Sequence, residues 1–586
     1  MPRATAAGGR KANAPEPTVA SSKAQYEKEL RDLASKAQID GGSSLARLTS
    51  QFRLVRNAIT FLFFAGFFAH ASQLALAPVY GSIPASTYHL PVRAAAAFAG
   101  WAGNLFLARA LDQRGLSAAR LLPIFTLCAP LVQFLIEPYS AILGPSWGPL
   151  ITESLTVVPV PLLPKFLADA LPGMGSWALF TAFENLARGY VLRFAGRSSN
   201  TAAVTFVLTR IGMQLSLGGL MAGLAPSLHL LLAAPALVHT VLLNPHMPTP
   251  SAAARLNTTL QAHDWLLIDR AESNTGYVSV LQSIRGGFRV MRCDHSLLGG
   301  EYTDASVVGG IVAEPIYGVF AMLEAVRLIQ TGEAVPDDKA NALVIGLGIG
   351  TTPSAFVAHG IDTTVVEIDP VVHAFAKKYF QLRENNEPVL SDAGRYTKKL
   401  ADDAAGARFN YIVHDVFTGG AEPIDLFTLE FLQQLHTLLK PRGAIAINYA
   451  GDLALPGPRA IVRTINTVFP SCRIFREFPA DAASIAAHGG SDFTNMVIFC
   501  KKTPGALAFR AATDKDRLDS FARREFLEPT HEVHATEFLA VDDEEETQQL
   551  VRVNETEVVT KSHKTSARGH WSIMRTVLPG VVWEKW

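Results

Sequence analysis

Residues 342–370 read ALVIGLGIGTTPSAFVAHGIDTTVVEIDP. An apolar strand, 342–345, runs directly into Gly346-Leu347-Gly348-Ile349-Gly350. A helix-like segment follows, and then a second strand, 364–368, that carries Glu367. The acid stands about 20 residues past the first glycine, the spacing at which a Rossmann-type unit sets a carboxylate against a ribose diol. Glycines without side chains let the backbone approach a nucleotide closely. Strand, glycine turn, helix, strand and acid in this order point to an adenosine-type ligand. The alternative for the glycines alone is a purely structural tight turn.

Outward from this unit, strands recur at 411–414, 444–448 and 496–500, with helical patterns at 426–439 and 459–468 between them. Strands alternating with helices predict a parallel α/β sheet. On the other side, short alternating runs at 265–269, 277–283 and 288–293, with a turn at Arg285-Gly286-Gly287, predict a small antiparallel sheet. A helical stretch, 315–330, links the two.

This arrangement resembles the spermidine/spermine synthase family of polyamine aminopropyltransferases. The likeness covers residues 260–503. It is carried by GLGIG at 346–350, VVEIDPVVHAFAKKYF at 365–380, SDAGRY at 391–396 and YIVHDVFTGGAEPIDLFTLEFL at 411–432. The resemblance implies that Gly346, Gly348 and Gly350 form the loop beside the nucleoside and that Glu367 binds the ribose hydroxyls. It implies that Asp392, followed by Ala393, meets the adenine amino group. It makes Asp415 the catalytic carboxylate and Asp294 a substrate-side residue; Thr418, at the family's second-acid position, and Tyr449, near the pocket, are further substrate-side candidates. The donor it implies is S-adenosylmethionine or its decarboxylated form, with no metal, and the acceptor is an amine or polyamine-like small molecule. A homodimer fits the family. Each residue also has a plainer role open to it. Asp415 can close the turn after its strand, and Asp392 can cap a helix starting near Gly394. Asp369 reads as a turn residue, and His414 and Tyr449 as rim or core.

Departures from the pattern bear on the acceptor. The family's acid before the last glycine is Ile349 here, and the second acid after the catalytic one is Thr418. The glutamines of the β-domain have Val278 and Leu298 as counterparts. A site that desolvates ammonium groups needs carboxylates, so a polyamine would be held poorly, while the nucleoside set is intact. The leading expectation is a spermidine-synthase-like transferase moving an aminopropyl-type group to an amine. The alternatives are an S-adenosylmethionine-dependent methyltransferase and a non-catalytic nucleotide-binding membrane protein.

The 586 residues carry 52 basic and 52 acidic side chains, a balance that gives no reason to expect nucleic acid as a partner. The hydrophobic fraction of 49% is concentrated between residues 54 and 244. Apolar runs at 57–79, 94–111, 121–143, within 147–187, 202–225 and 228–243 predict about six membrane spans. Arginines at 47, 53, 56, 109, 114 and 120 then put the N-terminus and the catalytic domain in the cytosol, with the lipid bilayer as partner. Arg210 within a span and the Glu184–Arg188 pair are read as helix-packing features. The fold expected is α/β, built as a tail at 1–50 with the composition of a disordered segment, a transmembrane helical bundle at 51–245, a small β-domain at 260–335, a Rossmann-like transferase domain at 336–503 and an extension at 504–586 in which no chemistry is legible. Cys128, Cys293, Cys472 and Cys500 form no C-x-x-C pair and are expected to be free thiols.

Overall fold

The computed structural model describes residues 44–99, 118–157, 173–194, 202–304, 310–332, 335–416, 422–487, 490–534 and 549–585. The predicted N-terminal tail lies almost wholly outside them.

Four strands, β1 (Trp265–Glu272), β2 (Tyr277–Ser283), β3 (Phe288–Cys293) and β4 (Ser296–Tyr302), form an antiparallel sheet in sequential order. The second sheet has eight: β5 (Asn341–Ile345), β6 (Asp362–Glu367), β7 (Val389–Leu390), β8 (Phe409–His414), β9 (Leu439–Gly451), β10 (Ser471–Arg476), β11 (Thr494–Lys501) and β12 (His531–Val533). Their order is β12-β10-β11-β9-β8-β5-β6-β7. The run from β7 to β9 is parallel, and β11, β10 and β12 add antiparallel edges.

The continuous apolar run of β5 follows from burial on both faces. Ala342 and Val344 enter one core, while Leu343 and Ile345 enter the other. Chain order reverses between β5 and β8, and it is beside such a reversal, at the carboxyl ends of the strands, that open α/β sheets bind ligands. The small sheet is also covered twice. Val278, Val280 and Met291 join the core shared with β5. Leu281 and Val290 pack with Leu256, Leu260, Val582 and Trp583.

Cys472 and Cys500 correct the expectation of four free thiols. They stand directly opposite each other on β10 and β11 and form a disulfide. The pairing depends on strand register across 28 residues of chain, which sequence spacing does not display.

The N-terminal part is helical. Its main helices are Ser44–Leu74, Ala118–Ile136, Ser140–Thr156, kinked at Gly144, and Gly173–Phe194. Two stretches, Val55–Tyr80 and Ala119–Thr156, are long and apolar enough to cross a membrane. The predicted spans at 94–111 and within 147–187 fall partly outside the described residues. The expected pair of spans at 202–225 and 228–243 is instead four short pieces, Ala202–Val207, Arg210–Leu224, Leu228–Ala233 and Ala234–Leu243. The first break is a helix cap, with Thr209 Oγ1 accepting from the Gly212 amide.

Charges in this part point inward. His89 touches Glu153 through Nδ1 at 2.6 Å and Glu184 through Nε2 at 2.9 Å, and Glu184 also meets Arg93 and Arg188. Arg210 reaches out of its helix to Glu272 and Asp294 of the small sheet, at 3.2 and 2.7 Å. The chain's C-terminal helices complete the contact. Trp571 Nε1 donates to the Val79 carbonyl, and Arg292 donates to the carbonyls of Pro78 and Val582.

Candidate active site

A cavity of about 930 Å³ opens at the carboxyl ends of β5, β6, β8 and β9. Gly346, Gly348, Glu367, Asp392, Ala393, Asp415 and Asp294 all line it. The glycine loop is bare for two reasons. At Gly346, φ is +85°, and an added Cβ would lie 2.0 Å from the Asp415 carbonyl oxygen. At Gly348, φ is +55°, and a Cβ would lie 2.5 Å from the Leu298 carbonyl of β4. The loop is therefore pressed against β8 on one side and the small sheet on the other, which leaves its backbone facing the cavity. Gly350 does not line the cavity. It caps the helix Thr351–Ala358 in a left-handed conformation.

Glu367 is fixed by two backbone bonds, Oε2 from the Leu347 amide at 2.9 Å and Oε1 from the Asp369 amide at 2.8 Å. Each oxygen keeps a second acceptor position. Burial pushes its carboxyl up to about 7, against the pull of those amides. Asp392 caps the helix Ala393–Asp402 through the Arg395 amide and also borders the cavity, so both of its predicted roles are geometrically compatible. Asp369 is the turn residue expected, capping Pro370–Tyr379 and accepting from the hydroxyls of Ser273 and Thr275.

Asp415 follows β8 at the reversal point. Its Oδ1 accepts from Asn448 Nδ2 at 2.7 Å, and loss of solvent pushes the carboxyl up to about 6. His414, one residue earlier, is fully buried against Phe427 and Phe431 and does not line the cavity. Tyr449 also lies behind the wall, its hydroxyl donating to Glu422 at 2.8 Å. Asp294 is engaged by Arg210 and by the Tyr277 amide. Thr418 lies outside the described residues. Ile349, at the position of the family's amine-holding acid, is buried in the core, where its side chain abuts Gly299 of β4.

The sequence reading missed the rest of the cavity lining. Glu422, Asn448, Glu477, Phe493 and Asn495 line it from the catalytic domain. His563, His570, Ile573 and Met574 come from the helix Glu557–Val577, in the extension where no chemistry was expected, and Gly81, Ser82 and Ile83 from the helical part. Seven carboxylates border the cavity, and no Lys or Arg does among the described residues. Such a field favours cationic ligands.

The Spermine/spermidine synthase domain family matches residues 327–473. An N-terminal histidine N-methyltransferase of Emericella nidulans is 42% identical over 552 residues, covering 90% of this chain and 96% of that protein. The chain belongs to the N-terminal histidine N-methyltransferase family. It is a transferase. A polyamine aminopropyltransferase of Vibrio vulnificus is 34% identical over 127 residues, 21% of this chain and 42% of that protein. A probable spermidine synthase from Corynebacterium glutamicum is 16% identical with a TM-score of 0.34, covering 46% of this chain and 97% of that structure. The expectation of aminopropyl transfer is thereby corrected to S-adenosylmethionine-dependent methyl transfer. The match to the Spermine/spermidine synthase domain is confined to residues 327–473. Ile349 is buried.

Proposed function

We propose that this protein transfers the methyl group of S-adenosylmethionine to a nitrogen of an N-terminal histidine in a peptide or protein. The observation that carries this reading is the cavity itself. Its nucleoside end has a bare glycine loop and a buried carboxylate with free acceptor positions. The same cavity is bordered by seven carboxylates and by no Lys or Arg among the described residues. The 42% identity to the Emericella nidulans enzyme supports the choice of acceptor.

The donor brings a methyl group on a sulfonium, which needs little activation. The protein's task is alignment and electrostatics. Glu367 and the loop 346–348 hold the sugar end. Asp415, held by Asn448, faces the positive charge that grows on the acceptor nitrogen as the new N–C bond forms and the C–S pair returns to sulfur. Its ionised carboxylate stabilises that charge and can receive the proton released from the acceptor.

The test uses purified full-length protein with S-adenosylmethionine and peptides beginning with His, with Ala, and with N-acetylated His. Mass spectrometry is expected to find one added methyl group on the His-initiated peptide. Equal methylation of all three, or consumption of the decarboxylated donor with putrescine instead, would overturn the proposal.

A further inference from the structure

Resting on that reading, we infer that Glu422 is the site that receives the α-ammonium of the acceptor peptide. The seven cavity carboxylates differ in what already occupies them. Asp294 is held by Arg210, Asp415 by Asn448, Glu367 by two backbone amides and Asp392 by the helix it caps. Glu477 accepts from the Gly318 amide at 2.7 Å. Asp425 is exposed.

Glu422 is different. It is 5% exposed, yet its Oε1 takes one neutral donor, the Tyr449 hydroxyl, and its Oε2 makes no hydrogen bond. His563 Nε2 stands 3.0 Å from Oε2, with a geometry that completes no bond. A carboxylate this deeply buried is costly unless a charged partner meets it; His563 is one only when protonated, and the cavity that Glu422 borders is where another can arrive. A primary ammonium has three donors and suits an oxygen that no hydrogen bond satisfies.

Its position fits the chemistry. Asp415 and Glu422 both border the cavity, and their supports, Asn448 and Tyr449, leave opposite faces of β9 near its carboxyl end. An N-terminal histidine presents an ammonium and an imidazole on one residue. Glu422 would take the first while the second reaches the nitrogen-accepting position beside Asp415. Tyr449 and His563 are positioning residues for that carboxylate.

The experiment compares two peptides, one beginning with His and one in which the α-amino group of that residue is replaced by hydrogen, on the full-length protein and its Glu422→Gln variant. In the unmodified protein, loss of the amine is expected to raise KM about ten- to hundred-fold with S-adenosylhomocysteine affinity unchanged. In Glu422→Gln the two peptides are expected to have similar KM values. Two results would overturn the assignment. One is an unmodified protein that uses both peptides equally well. The other is the amine preference persisting in Glu422→Gln or vanishing in Glu477→Gln instead. Should Glu422→Gln fail to fold, Tyr449→Phe carries the same comparison, with a reduced amine preference expected and an unchanged one counting against the idea. Failure of the unmodified protein to methylate any His-initiated peptide is a separate outcome, which removes the functional proposal on which this one rests.

Discussion

At the scale of single residues, Asp415 makes the sharpest prediction. Its carboxyl is pushed up to about 6 by burial, so it is ionised above that pH and protonated below it. If the ionised form is the working one, kcat/KM falls as pH drops through about 6. A histidine acceptor must also be neutral, and its own ring titrates near about 6.5. The acid limb is therefore expected to approach a slope of two, and Asp415→Asn to reduce it to one while lowering kcat by about 10²–10⁴-fold. A pH–rate profile of both proteins checks this. An unchanged slope would remove Asp415 from the proton accounting. The residue was legible because it ends a strand in a distinctive motif. Glu422 was not: what marks it is an unsatisfied oxygen, and that depends on a tyrosine and a histidine that sequence separates from it.

Among elements, the glycine loop shows how one short segment serves two masters. It must face the ligand, and it is also the seam between the two sheets, because Gly348 lies under the Leu298 carbonyl. Gly348→Ala would place a methyl 2.5 Å from that oxygen at a positive φ. The expected cost is about 1–3 kcal/mol of stability, read as a lower melting temperature, together with weaker S-adenosylhomocysteine binding. The strands and the acid around the loop were readable because their signal is local: β5, β6 and β8 are apolar runs ending in glycine, Glu367 and Asp415. The Cys472–Cys500 pair and the helix Glu557–Val577 were unreadable for the opposite reason. One is a matter of register between β10 and β11, and the other shows only polar periodicity until its contacts with β4 and the helical part are known.

On the scale of the whole molecule, the helical part has an unusual distribution of polarity. Leu228, Leu231 and Ile142 are 85%, 71% and 84% exposed, while His89, Glu153 and Glu184 are fully buried. We propose that this part sits in a lipid bilayer, which reconciles an apolar outside with a charged inside. The protein should then stay with membranes through alkaline carbonate extraction and need detergent for release. Recovery in the carbonate supernatant would reject membrane embedding. Which side faces the cytosol is a separate matter. The disulfide in the main sheet is of a kind that persists in oxidising compartments, and it weighs against the cytosolic placement that the arginine pattern suggested.

The cavity wall joins Gly81 to His563, two points that a ribosome delivers far apart in time. Domains made early generally fold while the rest is still being assembled, so the glycine loop and Glu367, the proposed nucleoside end, can come together on an unfinished chain. The cavity wall is incomplete until the helix Glu557–Val577 has emerged and docked against residues 79–88. On the function proposed above, methylating competence would be complete only after that late docking step.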